Sequence, residues 1–294
     1  MLFAGLVACG VPEPVNVETL KERLSEGDQA ATVQLVELLG RAHGQDIRSE
    51  AYKVLQAAGE ASRNAVLPAC RDADPVRREH ALALAASLKL PEAAGEALRA
   101  LTDGGFPRRY VAAWVLGDLG DPAAGEPLVA ALGDGDTETA REAARSLTKL
   151  GKPIVPVLLG ALPSMGAEPR LYALRILGEV GDPAALESLV SSLAQAETRA
   201  VAAWALGKLG QTAAGPALMA HLSDPLWQVR LEVARALGFL GFQDAGASLD
   251  ALRSSDPVIP VREWAARSLG LLQGTSQTYP DAQGKEVIPG SLFR

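Results

Sequence analysis

Cysteine and histidine, the side chains that most often act as nucleophiles or bind metals, are scarce in this sequence. The 294 residues contain two cysteines and three histidines. A zinc site built from cysteine needs about four ligands, so such a site is excluded. The histidines are far apart in sequence, which argues against a histidine-rich metal site. We therefore predict neither a metal nor any other cofactor. The residues concerned are Cys9, Cys70, His43, His80 and His221.

Catalytic signatures are also missing from the sequence. Cys70 ends the apolar segment NAVLPAC, and we interpret it as a small buried side chain and not as a nucleophile. No phosphate-binding G-x-x-x-x-G-K-[ST], zinc-binding H-E-x-x-H or nucleophile-bearing G-x-S-x-G occurs. The residues alone predict a protein that is not an enzyme.

Arginine and tryptophan recur about every 30 residues and point to binding chemistry instead. Both residue types are enriched at binding hot spots. We predict that they form an arginine–tryptophan strip that binds a protein partner, long enough for an extended segment of about 12–15 residues at ~3.3 Å each. The strip consists of Trp114, Arg145, Arg175, Trp204, Arg235 and Arg267, with Tyr172 and Trp264 beside it.

A purely structural interpretation of the strip stays open. Each arginine has an acidic residue three or four positions away, as in Glu142 and Arg145. Such pairs contribute only ~0.3–0.5 kcal/mol and are common on solvated helix faces. The tryptophans could equally fold over neighbouring alanine-rich helices. Binding and packing therefore remain alternatives for both residue types.

The elements that position this strip are internal repeats of about 30 residues. A glycine follows a leucine in each well-matched copy, and threonine replaces it once, at Thr148. An arginine stands eight positions before each of these glycines, and Ala140 occupies that position in the Thr148 copy. The glycines are Gly117, Gly178, Gly207, Gly238 and Gly270, and the arginine column is Arg109, Arg170, Arg199, Arg230 and Arg262.

Each copy has the pattern of a helix pair. Small residues and leucines fall on one stripe at helical spacing, which predicts an amphipathic helix. A glycine after the stripe and an Asp-Pro step, as at Gly181 and Asp182, predict the end of one helix and the start of the next. One pair cannot bury its own stripe, so neighbouring pairs must stack.

The resulting prediction is an all-α fold, an α-solenoid of about eight helix pairs over residues 17–273. Residues 274–294 lose the period and are predicted to form a polar tail, and residues 1–16 precede the array. No linker long enough to separate two domains is evident. The net charge of −7 disfavours nucleic acid as a partner, because nucleic-acid-binding domains usually carry a basic excess.

The segment Leu6-Val7-Ala8-Cys9 resembles the bacterial lipobox. The resemblance implies that residues 1–16 are a lipoprotein signal and short tether, with the lipid carried by Cys9. The apolar run before Cys9 is much shorter than the ~20 residues that span a bilayer. No basic residue precedes Cys9, which departs from the usual signal pattern.

Two localisations follow from this segment. If Cys9 is lipidated, the protein is anchored in a bacterial cell envelope, and Gly10 in place of aspartate favours the outer membrane or periplasmic side. If the lipobox is fortuitous, the protein is cytoplasmic.

The spacing D-P-x-x-x-V-R-x-x-x-A-R-A-L-G, present from Asp224 to Gly238, resembles HEAT repeats of the subtype first noted in phycobilisome bilin lyases. The resemblance implies a right-handed superhelix with the arginine-bearing helices on its concave surface. It also implies an Arg–Asp ladder that joins repeats, so that the arginine column has a structural role. Asp103, Asp224 and Asp256 stand six positions before Arg109, Arg230 and Arg262, whereas Arg170 and Arg199 lack such an aspartate.

Among HEAT-like enzymes, the deoxyhypusine hydroxylases hold iron with His-Glu pairs, and no histidine here is followed by glutamate. Our main expectation is a non-catalytic scaffold or adaptor of the cell envelope that binds a protein along the concave face. The alternative is an accessory subunit or chaperone of an enzyme, of bilin-lyase-like type, that handles a small prosthetic group. A pocket at one repeat would favour the alternative, and a continuous strip would favour the scaffold.

Overall fold

Helix boundaries in the repeats follow the predicted capping residues. Helix α11 (Ala167–Val180) ends at Gly181, whose φ of 67° is left-handed and therefore suits a residue without a Cβ. The side chain of Asp182 then accepts a hydrogen bond from the backbone N–H of Ala184 at 2.9 Å. This cap begins a short 3₁₀ turn that leads into α12 (Leu186–Ser192). The predicted alternation of glycine stop and aspartate start is confirmed.

The computed structural model describes residues 16–289, which divide into two compact units. The first unit ends at Leu119 and the second begins at Gly120, without an intervening linker. Cys9 lies outside the described residues. The helices of the first unit are α1 (Val17–Ser25), α2 (Ala30–Glu37), α3 (Gln45–Ala58), α4 (Arg63–Ala69), α5 (Pro75–Ser87), α6 (Ala94–Thr102) and α7 (Arg109–Leu119).

The second unit alternates long and short helices. Each long helix packs beside the next long one, and most of the short helices pack against the long helix that follows them. Buried alanine and leucine side chains fill these contacts, as at Ala202, Ala203 and Leu206. Besides α11 and α12, its helices are α8 (Gly125–Ala131), α9 (Thr137–Leu150), α10 (Val155–Ala161), α13 (Ala196–Leu209), α14 (Gly215–Met219), α15 (Trp227–Phe239), α16 (Gly246–Ser255) and α17 (Ile259–Gln273).

The repeat glycines allow neighbouring long helices to come close together. A Cβ added to Gly238 would lie 2.8 Å from the Cα of Ser268 on the next long helix. The same addition to Gly178 would lie 2.7 Å from the Cα of Ala205. Both distances are shorter than carbon atoms tolerate, so these positions require glycine. The predicted stacking of helix pairs in an all-α solenoid is confirmed.

The C-terminal tail has structure that the sequence pattern did not indicate. Strands β1 (Tyr279–Pro280) and β2 (Glu286–Val287) form a short antiparallel hairpin. Nη1 of Arg253 donates to the carbonyl oxygen of Thr278 at 2.9 Å, and Nη2 of Arg262 donates to that of Asp281 at 3.3 Å. The hairpin is therefore fixed to the last helix pair.

Between residues 16 and 289, no helix combines the length and the apolar character that crossing a membrane requires.

Candidate functional site

The arginine column joins consecutive repeats through buried hydrogen bonds. Only 11% of the Arg230 side chain is exposed, and its Nε and Nη2 donate to the two carboxylate oxygens of Asp256 at 2.7 and 3.0 Å. Nη1 of Arg199 donates in the same way to Asp224, at 2.5 Å. Each aspartate therefore pairs with the arginine of the preceding repeat. The expectation that Arg199 lacks an aspartate partner is wrong.

The arginine six positions after each aspartate makes a different contact. Nη1 of Arg230 donates to the carbonyl oxygen of Asp224 at 2.8 Å, and Nη1 of Arg262 donates to that of Asp256 at 2.8 Å. Burial by itself raises the pKa of Asp224. Hydrogen bonds from the backbone N–H of Leu226 and from Arg199 outweigh burial and hold this pKa below its ordinary value. Asp224 is thus a charged link between repeats.

The remaining column residues have other partners. Nη1 of Arg170 donates to the side-chain oxygen of Gln195 at 2.8 Å, and the two residues are 25 positions apart, as Arg199 and Asp224 are. In the first unit, Asp103 accepts a hydrogen bond from Nη2 of Arg78 at 3.3 Å. Arg109 is half-buried at the start of α7. The ladder is therefore tightest in the later repeats of the second unit.

Two clusters of cations and aromatic rings lie on the long helices of the second unit. The Trp204 ring centroid is 5.6 Å from Cζ of Arg175 and 5.7 Å from Nζ of Lys208. These separations are within the range of cation–π attraction, which extends to about 6 Å.

The second cluster has the same arrangement around Trp264, whose ring centroid is 5.3 Å from Cζ of Arg235 and 5.0 Å from Cζ of Arg267. Phe239 meets the Trp264 ring edge to face, at a centroid distance of 6.0 Å. We call these seven residues the cation–aromatic face.

The exposure of the strip residues varies from repeat to repeat. Arg145 is exposed and paired with Glu142 at 2.9 Å, whereas only 16% of the Arg267 side chain is exposed. Trp204 and Trp264 are half-buried against cations, so their indoles contribute to packing while one part of each stays accessible. The strip is therefore not uniformly exposed. Of the other strip residues, Tyr172 is half-buried on α11, and Trp114 is half-buried on α7 in the first unit.

Glu232 is a site residue that sequence reasoning treated only as a surface partner of Arg235. Its side chain is 22% exposed, and its Oε2 lies 3.4 Å from Nη1 of Arg235. This oxygen is buried and accepts no hydrogen bond from the described residues. Burial raises the pKa of Glu232, and the positive charges of Arg235 and Arg175 oppose that rise. The sequence contained one signal for this partial burial, because Glu232 stands between the apolar residues Leu231 and Val233.

A groove of about 730 Å³ lies elsewhere in the second unit. Its walls come from the short helices α8 and α10 and from the segment that follows α10, and include Val129, Pro156, Val157 and Met165. The groove is mostly apolar and lacks the convergent charged groups of the cation–aromatic face. No group of three or more potential metal ligands comes together within residues 16–289.

Comparison with known proteins identifies the repeats and their relatives. The HEAT-repeat family matches residues 63–148, 96–163, 125–197, 155–222 and 194–270. The chain is 33% identical over 212 residues to phycocyanobilin lyase subunit alpha of Picosynechococcus sp., covering 63% of this chain and 75% of that protein. It is 32% identical over 160 residues to phycocyanobilin lyase subunit beta of Thermosynechococcus vestitus, covering 46% of this chain and 75% of that protein.

A solved structure supports the fold alone. A chain of the Kap95:Nup1 complex superposes with a TM-score of 0.59 at 13% identity, covering 86% of this chain and 41% of that chain.

These relatives correct one prediction. The absence of catalytic motifs suggested a protein that is not an enzyme, but both relatives are named as subunits of a lyase. The prediction of a non-catalytic protein is therefore wrong. The chain belongs to the HEAT-repeat proteins, in the lyase-like group that includes the phycocyanobilin lyase subunits.

Proposed function

We propose that this protein is a subunit of a lyase-type enzyme that handles a small prosthetic group together with a protein partner. The observation that carries the proposal is the similarity to two phycocyanobilin lyase subunits over 75% of the length of each. This similarity supports an enzyme subunit better than a scaffold of the cell envelope.

The chemistry of the cation–aromatic face supports a planar, acidic ligand. A linear tetrapyrrole such as a bilin combines a conjugated ring system with carboxylates and ring N–H groups. Guanidinium groups bind carboxylates with charge-assisted hydrogen bonds, and indole rings offer a large flat contact surface. Arg175, Trp204 and Arg235 supply these groups on three consecutive long helices.

The protein partner is proposed to bind along the same long helices. The relatives are named as subunits, so each works in an assembly. The strip residues extend beyond the two clusters to Arg145 on α9 and Tyr172 on α11, which leaves surface for a second molecule next to the ligand. The identity of the partner is left open by this proposal.

The first test is a titration of the purified protein with biliverdin, followed by tryptophan fluorescence and by visible absorbance. We expect saturable quenching with one ligand bound per chain, because Trp204 and Trp264 flank the proposed site. A chain in which both tryptophans are replaced by phenylalanine is the control for the fluorescence signal and should still change the absorbance of biliverdin. If no saturable change occurs at biliverdin concentrations up to about 100 μM, the binding free energy is weaker than about 5.5 kcal/mol. That result would contradict the proposal.

Lipid anchoring at Cys9 remains a separate proposal. It rests on the Leu6-Val7-Ala8-Cys9 segment alone and would place the protein on the outer membrane or periplasmic side of a bacterial envelope. Mass spectrometry of the mature N-terminus after bacterial expression tests it. A diacylated or triacylated Cys9 supports the anchor, and an unmodified Cys9 contradicts it and favours the cytoplasm.

A further inference from the structure

The last long helix, α17, carries the same contact residues as the long helices before it. Arg262 and Gly270 stand eight positions apart on α17. Arg230 and Gly238 have the same spacing on α15, where Gly238 lets the next long helix approach closely. Within residues 16–289 no helix follows α17, so something other than a repeat must cover this face.

The segment after α17 lies where a further repeat would pack. A Cβ added to Gly270 would lie 2.5 Å from the carbonyl oxygen of Thr275 and 3.8 Å from the backbone nitrogen of Gln277. The backbone of residues 275–277 therefore covers the repeat glycine of α17. In the preceding repeats, the added Cβ points instead at a small residue of the next long helix, namely Ala205, Ala236 and Ser268.

The hairpin also replaces the next aspartate of the arginine ladder, but with a weaker acceptor. Arg230 donates through Nε and Nη2 to the carboxylate of Asp256 in the following repeat. Arg262 donates through Nη2 to the carbonyl oxygen of Asp281 at 3.3 Å, and its buried Nε has no hydrogen-bond partner among the described residues. Hydrogen bonds to a charged acceptor are roughly twice as strong as those to a neutral one. The hairpin thus occupies the position of a repeat but is held less firmly than one.

The contact between α17 and this segment is partly open. A groove of about 460 Å³ lies between them, with Leu271 on the helix side and Ile288 on the other side. Leu271 is 51% exposed and Ile288 is 69% exposed. Tyr279 of β1 is half-buried, and β1 contacts both α16 and α17. Removal of the hairpin would therefore add to the apolar surface that Leu271 already exposes.

The first helices of the chain have an apolar surface that could receive such an end. A groove of about 580 Å³ lies between α1 and α3 in the first unit. Its lining includes Leu24, Val54, Ala57 and Ala58. Small side chains of this kind allow close helix approach, as they do between the long helices of the second unit.

We infer that residues 275–289, which we call the C-terminal strap, stand in for a further repeat and prevent a second copy of this chain from stacking on α17. The groove between α1 and α3 of the second copy is the surface that would contact α17. Such a head-to-tail contact joins different surfaces, so it produces open-ended oligomers when it does not close into a ring. Repeat arrays in general need a cap on the terminal repeat to stay soluble. The inference is independent of the proposed lyase function.

The main test uses a strapless chain of full length, in which residues 275–289 are replaced by a glycine–serine sequence of equal length. Sedimentation velocity between about 1 and 100 μM measures the weight-average molar mass. We expect wild type to stay monomeric and the mass of the strapless chain to rise about twofold or more over this range, by mass action. Circular dichroism shows whether the strapless chain keeps its helices.

Glutamate substitutions in the strapless chain locate the contact. Leu271→Glu places a charge on the uncovered face of α17, and Ala57→Glu places one in the groove of the second copy. Both substitutions should return the strapless chain to a monomer. Val33→Glu is the matched control, because Val33 is 54% exposed on α2 and lines neither surface. We expect it to leave the association unchanged.

Gly270→Ala tests the strap in the otherwise intact chain. The added methyl group would overlap the carbonyl oxygen of Thr275 and so displace the start of the strap. We expect amide hydrogen exchange within residues 275–289 to become about tenfold faster than in wild type. Gly246→Ala is the control, since no atom lies within 4 Å of its added Cβ, and it should not change this exchange.

Several outcomes would overturn the inference. A strapless chain that keeps its helices and stays monomeric at about 100 μM contradicts it. Oligomers that Val33→Glu weakens as much as Leu271→Glu does, or that Ala57→Glu leaves unchanged, would show that the copies do not stack as inferred. If the strapless chain loses its helices, Gly270→Ala decides, and unchanged hydrogen exchange in that variant contradicts the role of the strap.

Discussion

Two glutamates with little exposed surface, one in each unit, show how the same side chain can be hydrogen-bonded or, among the described residues, can lack a hydrogen bond. Burial raises the pKa of both Glu79 on α5 and Glu232 on α15. Oε2 of Glu79 lies 2.9 Å from Nε of Arg108, within hydrogen-bond distance. The corresponding oxygen of Glu232 is 3.4 Å from Arg235 and accepts no hydrogen bond from the described residues. The hydrogen bonding of a glutamate side chain thus does not follow from its burial alone.

The two units also differ in how closely their long helices pack. In α5, the residue eight positions after Arg78 is Ala86, which is completely buried. The equivalent residue in α15, eight positions after Arg230, is Gly238, where a Cβ would collide with Ser268. The Arg78–Asp103 contact is long and partly exposed, whereas the Arg230–Asp256 contact is short and buried. The repeat is therefore most regular in the second unit, and its arginine ladder and glycines should contribute most to stability there.

The largest expected effect comes from the ladder. Arg230→Gln should lower the free energy of unfolding by about 3 kcal/mol, because it leaves the carboxylate of Asp256 buried without its charge partner. Arg78→Gln in the first unit should cost less than about 1 kcal/mol, since its ion pair is longer and more exposed. Urea denaturation of both variants provides the measurement. Equal losses would show that the two ladders do not differ in energy.

A smaller effect is expected from the repeat glycine. Gly238→Ala should cost about 1–3 kcal/mol, because the new methyl group overlaps backbone and side-chain atoms of Ser268. Gly246→Ala is the matched control. Gly246 is the first residue of α16 in the second unit, and no atom lies within 4 Å of its added Cβ. We expect the control to be neutral or more stable by up to ~1 kcal/mol. Thermal melting measures both, and a destabilised control would mean that helix contacts do not explain the requirement for glycine.

Local features of the fold could be predicted from the sequence because they depend on neighbouring residues. Helix phase follows from the spacing of apolar residues, and caps such as Gly181 and Asp182 act within one turn. The hairpin after α17 was missed because its contacts to Arg253 and Arg262 are not periodic.

The site was harder to predict because pairing across repeats depends on three-dimensional stacking. The offset of six residues suggested that Asp224 pairs with Arg230, but its carboxylate accepts a hydrogen bond from Arg199 of the preceding repeat. Glu232 and Arg235 have the same i,i+3 spacing as any surface pair, so the sequence could not indicate that one oxygen is buried. None of the catalytic motifs that we searched for marks the similarity to the lyase subunits. Their absence therefore led to the wrong prediction that the protein is not an enzyme.

The contrast between the glutamates predicts a pH effect of intermediate size. Since burial raises the pKa of Glu232 in the folded state, the folded protein holds this proton more tightly than the unfolded chain does. Stability is therefore lost as the pH rises from below the ordinary value of 4.5 through the raised folded pKa. Glu232→Gln removes this loss, so the variant should be more stable than wild type at pH 7, by about 0.5–1 kcal/mol.

The advantage of Glu232→Gln should shrink as the pH falls towards 4, where the wild-type carboxyl is also neutral. Urea denaturation between pH 4 and pH 8 measures the trend. Glu79→Gln in the first unit should gain less at pH 7, because it loses the ion pair with Arg108. A larger gain for Glu79→Gln would contradict the distinction between the two glutamates.

The smallest expected effect distinguishes members of the strip that look equivalent in sequence. The Arg145 side chain is 75% exposed, and within residues 16–289 its ion pair is with Glu142 on its own helix, so Arg145→Ala should change the free energy of unfolding by less than about 0.5 kcal/mol. Arg267 occupies the same repeat position but is largely buried over the Trp264 ring, and Arg267→Ala should cost about 1–2 kcal/mol through lost packing and cation–π attraction. Denaturation at low and high salt separates the two contributions, since the exposed pair is screened and the buried contact is not. Equal, salt-sensitive losses would mean that Arg267 behaves as a solvated surface residue like Arg145, in spite of its contact with the Trp264 ring.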